Sequence, residues 1–218
     1  MMNLYGLMVS ILYIVIVIAL SNLFAKVSKE ASRKFIHIML ANWWIIAMIF
    51  FDNVWYASTL PALFIIINYL SYKYDIIKEM ERDGDDKSEK TLGTVFYAIS
   101  LLVMTIFNFS IWHNTFPGLV GTLVMGYGDG FAAIAGKSIK SKDYKVFGSK
   151  KTFAGSVTMF IISLIIISCA FVYLNIPYWF IKSIVIAIIS TILEALSVKG
   201  TDNITVPLIT MLLVWIVI

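Results

Sequence analysis

The stretch GYGDGFAAIAGKSIKSKDYKVFGSKKTFAGS, residues 126–156, decides how the chain is read, because apolar sequence lies on both sides of it. Asp129 stands between Gly128 and Gly130 at the end of an apolar run, where a carboxylate is costly unless something uses it. Lys150, Lys151 and Thr152 come just before Gly155 and Ser156, which open the next apolar run. A basic, glycine-bearing loop that feeds a helix N-terminus suits an anion, since free N–H groups and the helix dipole both favour negative charge. One carboxylate beside such a loop points to metal-bound phosphate.

Outward from this stretch, residues 1–25, 35–51, 53–72 and 91–128 contain no Asp, Glu, Lys or Arg. Only 14% of the 218 residues are charged, against about 25% in a soluble domain. A bilayer span takes roughly 20 apolar residues. The chain is therefore expected to be an all-α, polytopic integral membrane protein with about eight transmembrane helices. They are placed near 3–25, 35–51, 54–72, 92–111, 116–137, 153–174, 178–198 and 203–218, in a single catalytic domain over 1–218. The Pro and Gly of His113–Gly118, and Asn175-Ile176-Pro177, break the longest runs. The first run lacks a basic segment ahead of it and is long enough to span, so it is read as a helix and not as a cleaved signal. Cys169 is the one cysteine, in an apolar run, and excludes an internal disulfide framework.

Alternating the helices puts the loops 26–34, 73–91, 138–151 and 199–202 on one face. Counting helix-end residues with their nearest loop, sixteen of the seventeen Lys and Arg fall on that face, Lys182 being the exception, and twelve of the thirteen acids, Asp52 being the exception. By the positive-inside rule that face is cytoplasmic and both termini are outside. The net charge of +4 does not indicate nucleic acid, because its placement follows membrane topology. A transporter would spread charge along a pathway, and here charge gathers at one face. The polar loop 73–91 offers Asp83, Asp85 and Asp86, but an EF-hand is rejected because its later ligands, including the twelfth-position Glu, are missing.

Three further groups carry chemistry. Arg33 and His37 are four residues apart and share a helical face; with Lys34 they stand near the headgroup level, where a neutral imidazole can take a proton from a lipid alcohol. Glu194 lies one turn inside the seventh helix, and an ionisable residue at that depth is a functional candidate. Asp202 and Asn203 open the last helix, where either also serves as a plain cap. With Asp129, these acids supply hard oxygen ligands of the kind Mg²⁺ takes when it bridges nucleotide phosphates. Gly136-Lys137-Ser138 is no P-loop, since Phe131 occupies the place of the first glycine and no strand precedes it.

Together these motifs resemble the CTP-dependent polyprenol kinase family, which includes dolichol kinase, phytol kinase and CTP-dependent diacylglycerol kinase. The matching pieces are Arg33-Lys34-x-x-His37, Gly93-Thr94-Val-Phe-Tyr97, Gly128-Asp129-Gly130-x-Ala132-Ala133 with Gly136-Lys137, Lys151-Thr152-x-x-Gly155-Ser156, and Glu194 with Asp202-Asn203-x-x-x-Pro207. Ala154 departs from the Glu that members commonly carry before the glycine of the Lys-Thr motif. The resemblance implies transfer of the γ-phosphate of CTP to the hydroxyl of a membrane lipid alcohol, with a divalent cation such as Mg²⁺, at the cytoplasmic face. On that reading Asp129, His37, Arg33 and Lys34 are catalytic. Gly128, Gly130, Lys137, Lys150, Lys151, Thr152, Gly155 and Ser156 hold nucleotide, with 138–151 as the nucleotide-binding loop, and Asp129, Glu194 and Asp202, beside Asn203, hold metal. The partners are then CTP, the lipid alcohol and the bilayer, in a prokaryotic plasma membrane or the endoplasmic reticulum, with no nucleic acid and an oligomer allowed. The run Ser149–Gly155 also resembles the loop of CDP-diacylglycerol synthases, so a phosphatidate cytidylyltransferase is the alternative, and a small transporter the second alternative.

Overall fold

A computed structural model describes residues 1–26, 28–74, 91–147 and 149–218, without the side chains of Lys29 and Glu30. Most of the polar loop 73–91, with the acids Asp83, Asp85 and Asp86, lies outside the described residues. The chain forms two compact units, Met1–Thr115 and Phe116–Ile218.

The first unit holds α1 (Met2–Ala25), α2 (Lys29–Ala41), α3 (Trp43–Phe50), α4 (Val54–Tyr74) and α5 (Gly93–Ile106), the last extended by a π-helical turn (Phe107–Ile111). Ser28 caps α2, its hydroxyl accepting from Ala31 N at 3.0 Å. The buried positions of α1 are Gly6, Ser10, Ile14, Val17 and Ser21, spaced three or four apart and mostly small. Its exposed positions include Leu4, Met8, Ile11, Leu12 and Val15. Small residues inside and large apolar residues outside are the pattern of a helix packed in lipid, where close backbone approach replaces hydrophobic burial. A Cβ on Gly6 would fall 2.6 Å from Phe50 Cβ, which shows how near α1 runs to α3. The indoles are satisfied as they are buried: Trp43 Nε1 donates to Ser10 Oγ and Trp44 Nε1 to the Thr115 carbonyl, both at 3.0 Å.

The second unit holds α6 (Phe116–Leu123), a π-helical turn (Val124–Asp129) and α7 (Gly130–Ser138), which run on as one apolar helix over Phe116–Ser138. An antiparallel hairpin of β1 (Asp143–Val146) and β2 (Ser149–Thr152) follows, then α8 (Phe153–Tyr173), α9 (Trp179–Leu196) and α10 (Asp202–Val217). The hairpin lies in the segment read from sequence as a loop. α8 buries Gly155, Met159, Ser163, Ile167 and Phe171 at four-residue intervals. α9 buries Ser183, Ile186, Ala187, Ser190 and Glu194, so the acid ends an otherwise small and apolar stripe.

Among the described residues, seven helices are long and apolar enough to cross a membrane, and α10 is a shorter apolar helix. The protein is an all-α, polytopic membrane protein, as expected; most element bounds lie close to those read from sequence, but the helix placed at 35–51 is two, α2 and α3, the first starting at Lys29.

Candidate active site

Four pieces of the second unit bring charged groups together. The π-helical turn closes its hydrogen bonds over five residues instead of four, a local widening often found at functional sites, and Asp129 ends it as a buried residue, 8% exposed. Glu194 comes from the last turn of α9 and is 6% exposed. Asp202 comes from the first turn of α10, where the helix dipole favours an acid. Between them the chain reverses through Lys199 and Gly200, both with positive φ, and Gly200 at 88° takes a conformation that suits glycine. The carboxylates of Asp129, Glu194 and Asp202 each offer an oxygen, and these three oxygens lie within 4.8 Å of one another.

Lys151 reaches this trio from β2. Its ammonium donates to the Glu194 carboxylate, to the Glu194 carbonyl oxygen at 2.8 Å and to Ser197 Oγ at 3.3 Å. The carbonyl contact places a cation on the C-terminal end of α9, where the dipole is negative; this offsets the unfavourable placing of an acid in that turn. Burial pushes the Lys151 ammonium down, but the nearby Glu194, Asp202 and Asp129 carboxylates outweigh burial and hold it above the ordinary lysine range.

Strand alternation separates the two adjacent lysines. Lys150 points outward, its side chain 66% exposed, and pairs with Asp143 across the hairpin at 2.6 Å. Lys151 takes the opposite face. Its cross-strand partner is Tyr144, whose hydroxyl shares a 2.5 Å hydrogen bond with Ser156 Oγ. Tyr144 and Ser197 were not singled out in the sequence, where a tyrosine in a basic loop and a serine at a helix end carry no distinguishing signal.

Thr152 caps α8, its Oγ1 accepting from Gly155 N at 3.1 Å. A Cβ on Gly136 would fall 2.6 Å from that oxygen, and one on Gly155 would fall 3.1 Å from the Ala132 carbonyl. The two glycines thus let α7 and the start of α8 close around the threonine. At the start of α8 the Gly155 N–H donates to Thr152 Oγ1, Phe153 N donates to the Lys142 carbonyl and Ala154 N to Ser141 Oγ. Capping a helix start satisfies donors that an anion would otherwise use. Gly128 serves packing as well, since a Cβ there would meet Met159 Sδ at 2.6 Å. Gly130 opens α7 as a buried residue, and Lys137 is exposed in its last turn.

The acids suit a hard divalent cation: three carboxylate oxygens converge, and one residue beyond Asp202 the buried Asn203 Oδ1 has no hydrogen-bond partner among the described residues. Like charges held this close are costly unless a cation answers them, and Lys151 brings a single positive charge. Arg33, Lys34 and His37 belong to the first unit, half-buried on α2, with the His37 ring 4.7 Å from that of Tyr97.

Fold and site together define a class, a polytopic α-helical membrane protein that gathers three carboxylates and a lysine from a spanning helix, two helix ends and a hairpin. The chain is 32% identical over 196 residues to phytol kinase of Synechocystis sp., a match covering 85% of this chain and 78% of that one. It is 28% identical over 206 residues to phytol kinase 1, chloroplastic, of Arabidopsis thaliana, covering 85% and 66%. Against the probable phytol kinase, chloroplastic, of Triticum aestivum it is 28% identical over 209 residues, covering 87% and 68%. No family model and no solved structure matches. The chain belongs to the polyprenol and phytol kinase family, and it is a kinase of a prenol lipid alcohol.

Proposed function

We propose that this protein transfers the γ-phosphate of CTP to the hydroxyl of a phytol-like prenol at the cytoplasmic face of its membrane. The observation that carries the reading is the convergence of Asp129, inside a spanning helix, with Glu194 in the last turn of α9 and Asp202 in the first turn of α10, with Lys151 among them. Asp129, Glu194 and Asp202 would hold Mg²⁺, with Asn203 as a further oxygen donor. Bound there, the ion would supply positive charge against the phosphate oxygens.

The chain's own residues supply position and charge, which carry most of the catalysis in phosphoryl transfer. Lys151 stabilises the charge on the phosphates, and Lys137 and Lys150 raise the local concentration of the nucleotide from the exposed face. The prenol oxygen attacks the γ-phosphorus, the bond between that phosphorus and the β–γ bridging oxygen breaks, and CDP leaves with the electron pair. The hydroxyl proton goes to a base, for which His37 is proposed on its chemistry, with Arg33 and Lys34 attracting the anionic reactants. The fit to phytol follows the names of the relatives, and the face follows the gathering of Lys and Arg in alternate loops.

The test is transfer of label from γ-labelled CTP, with ATP in parallel, to phytol and to a panel of longer prenols, using purified protein in detergent with Mg²⁺. Labelled phytyl phosphate formed from CTP is the expected product. Transfer from ATP alone overturns the choice of donor. No transfer from either nucleotide, but a labelled CDP-lipid from α-labelled CTP and phosphatidic acid, replaces the kinase with a cytidylyltransferase. His37→Ala with undiminished turnover removes the proposed base.

A further inference from the structure

Within the first unit, α1, α2, α3, α4 and α5 enclose a cleft of about 390 Å³, its open mouth included. Its walls are apolar at one end, with Leu60, Pro61 and Phe64 of α4 and Trp43 of α3. At the other end stand Asn68 of α4 and Tyr97 of α5, only 7% and 6% exposed. Neither Asn68 Oδ1 nor the Tyr97 hydroxyl has a hydrogen-bond partner among the described residues, although Asn68 Nδ2 donates to the Thr94 carbonyl at 3.0 Å. Leaving buried polar groups unmade costs free energy, and such groups call for an explanation.

We infer that this cleft seats the acceptor alcohol, with its hydroxyl between Asn68 and Tyr97 and its chain along the apolar wall. A hydroxyl both donates and accepts, so one such group answers an amide oxygen and a phenol together. The eight residue steps from Leu60 to Asn68 give the apolar wall a rise of about 12 Å. The polar end lies toward the last turn of α4 and the first turn of α5, where a membrane helix nears the interface, and the apolar end lies deeper, as a lipid alcohol is oriented in a bilayer. His37, the proposed base, stands against the Tyr97 ring at that same polar end, 4.7 Å between ring centres. The choice of a prenol as occupant rests on the proposed kinase reading.

The test measures equilibrium binding of tritiated phytol to the full chain in detergent without nucleotide, with phytane, the same skeleton lacking the hydroxyl, as competitor. Saturable phytol binding that phytane displaces poorly is expected. Tyr97→Phe should weaken it about three- to tenfold, the worth of one hydrogen bond, and raise the KM for phytol by the same factor with the KM for CTP unchanged. Its melting temperature should not fall, because that hydroxyl has no hydrogen-bond partner among the described residues to lose. Leu60→Trp, which fills the apolar end, should remove saturable binding. No saturable binding in wild type, or equal binding in wild type and both variants, overturns the inference. Phytol binding that is sensitive to Tyr97→Phe, in a protein that transfers no phosphate from any nucleotide, overturns the kinase reading and upholds the cleft.

Discussion

Lys151 donates to the carboxylate and, at 2.8 Å, to the backbone carbonyl of Glu194, so one ammonium answers both a buried acid and the end of the helix that carries it. This ties the hairpin to α9 and sets the lysine beside Asp129 and Asp202.

Removing the lysine leaves the Glu194 carboxylate buried without its ammonium. Lys151→Ala should abolish turnover and lower stability by about 3 kcal/mol, the cost of breaking a mostly buried ion pair from one side. Adding Glu194→Gln should return most of that stability and none of the activity. Thermal unfolding of the two single variants and the double variant in detergent gives the coupling. Additive losses would show that the pair does not act as a unit.

The same ion pair sets a pH dependence. The Lys151 value is raised on folding, so its contribution is fully present below the ordinary lysine value of about 10.4. It is lost as pH rises through the higher folded value. The difference in unfolding midpoint between wild type and Lys151→Met should stay flat from pH 7 to about 10 and shrink above it. A difference already falling near pH 8 contradicts the direction of the shift.

Asp129 is the member of the acidic trio inside a spanning helix. Asp129→Asn keeps the shape and removes the charge, and should reduce turnover at least about a hundredfold, on the scale of other electrostatic groups at reacting centres. If the trio holds Mg²⁺, the wild-type melting temperature rises with added Mg²⁺, and the variant should show a smaller rise. Equal activity and equal Mg²⁺ response would remove Asp129 from the site.

Lys150 is the control for its neighbour. Its charge is exposed and paired with Asp143, so Lys150→Ala should leave the melting temperature unchanged. It should raise the KM for CTP at low ionic strength, with the effect gone near 1 M salt, where the Debye length is about 3 Å. A salt-independent loss of kcat would place Lys150 inside the reacting centre instead.

Much of this was legible in residue order alone. The uncharged runs marked the spans, because a bilayer core demands about 20 apolar residues whatever the tertiary contacts. Glu194 stood out since an acid at membrane depth is rarely idle. Position in the sequence could not separate Lys150 from Lys151, because both are equally basic and only pairing of β1 with β2 assigns their faces. Nor could it show that Thr152 takes the N–H of Gly155, since capping depends on the local path of the chain. Asn68 was unremarkable, and Tyr97 was one residue of a motif with no role attached.

The sequence by itself determined an all-helical membrane protein and the acids and lysines on which a phosphate chemistry could rest, since hydropathy and charge are properties of residues in order. Tertiary structure alone decided that Asp129, Glu194 and Asp202, 73 positions apart at their extremes, offer oxygens within 4.8 Å, and that Lys151 turns toward them. Convergence of that kind depends on how a π-helical turn, a reversal at Gly200 and a two-strand hairpin aim their side chains, and no local pattern encodes the meeting point.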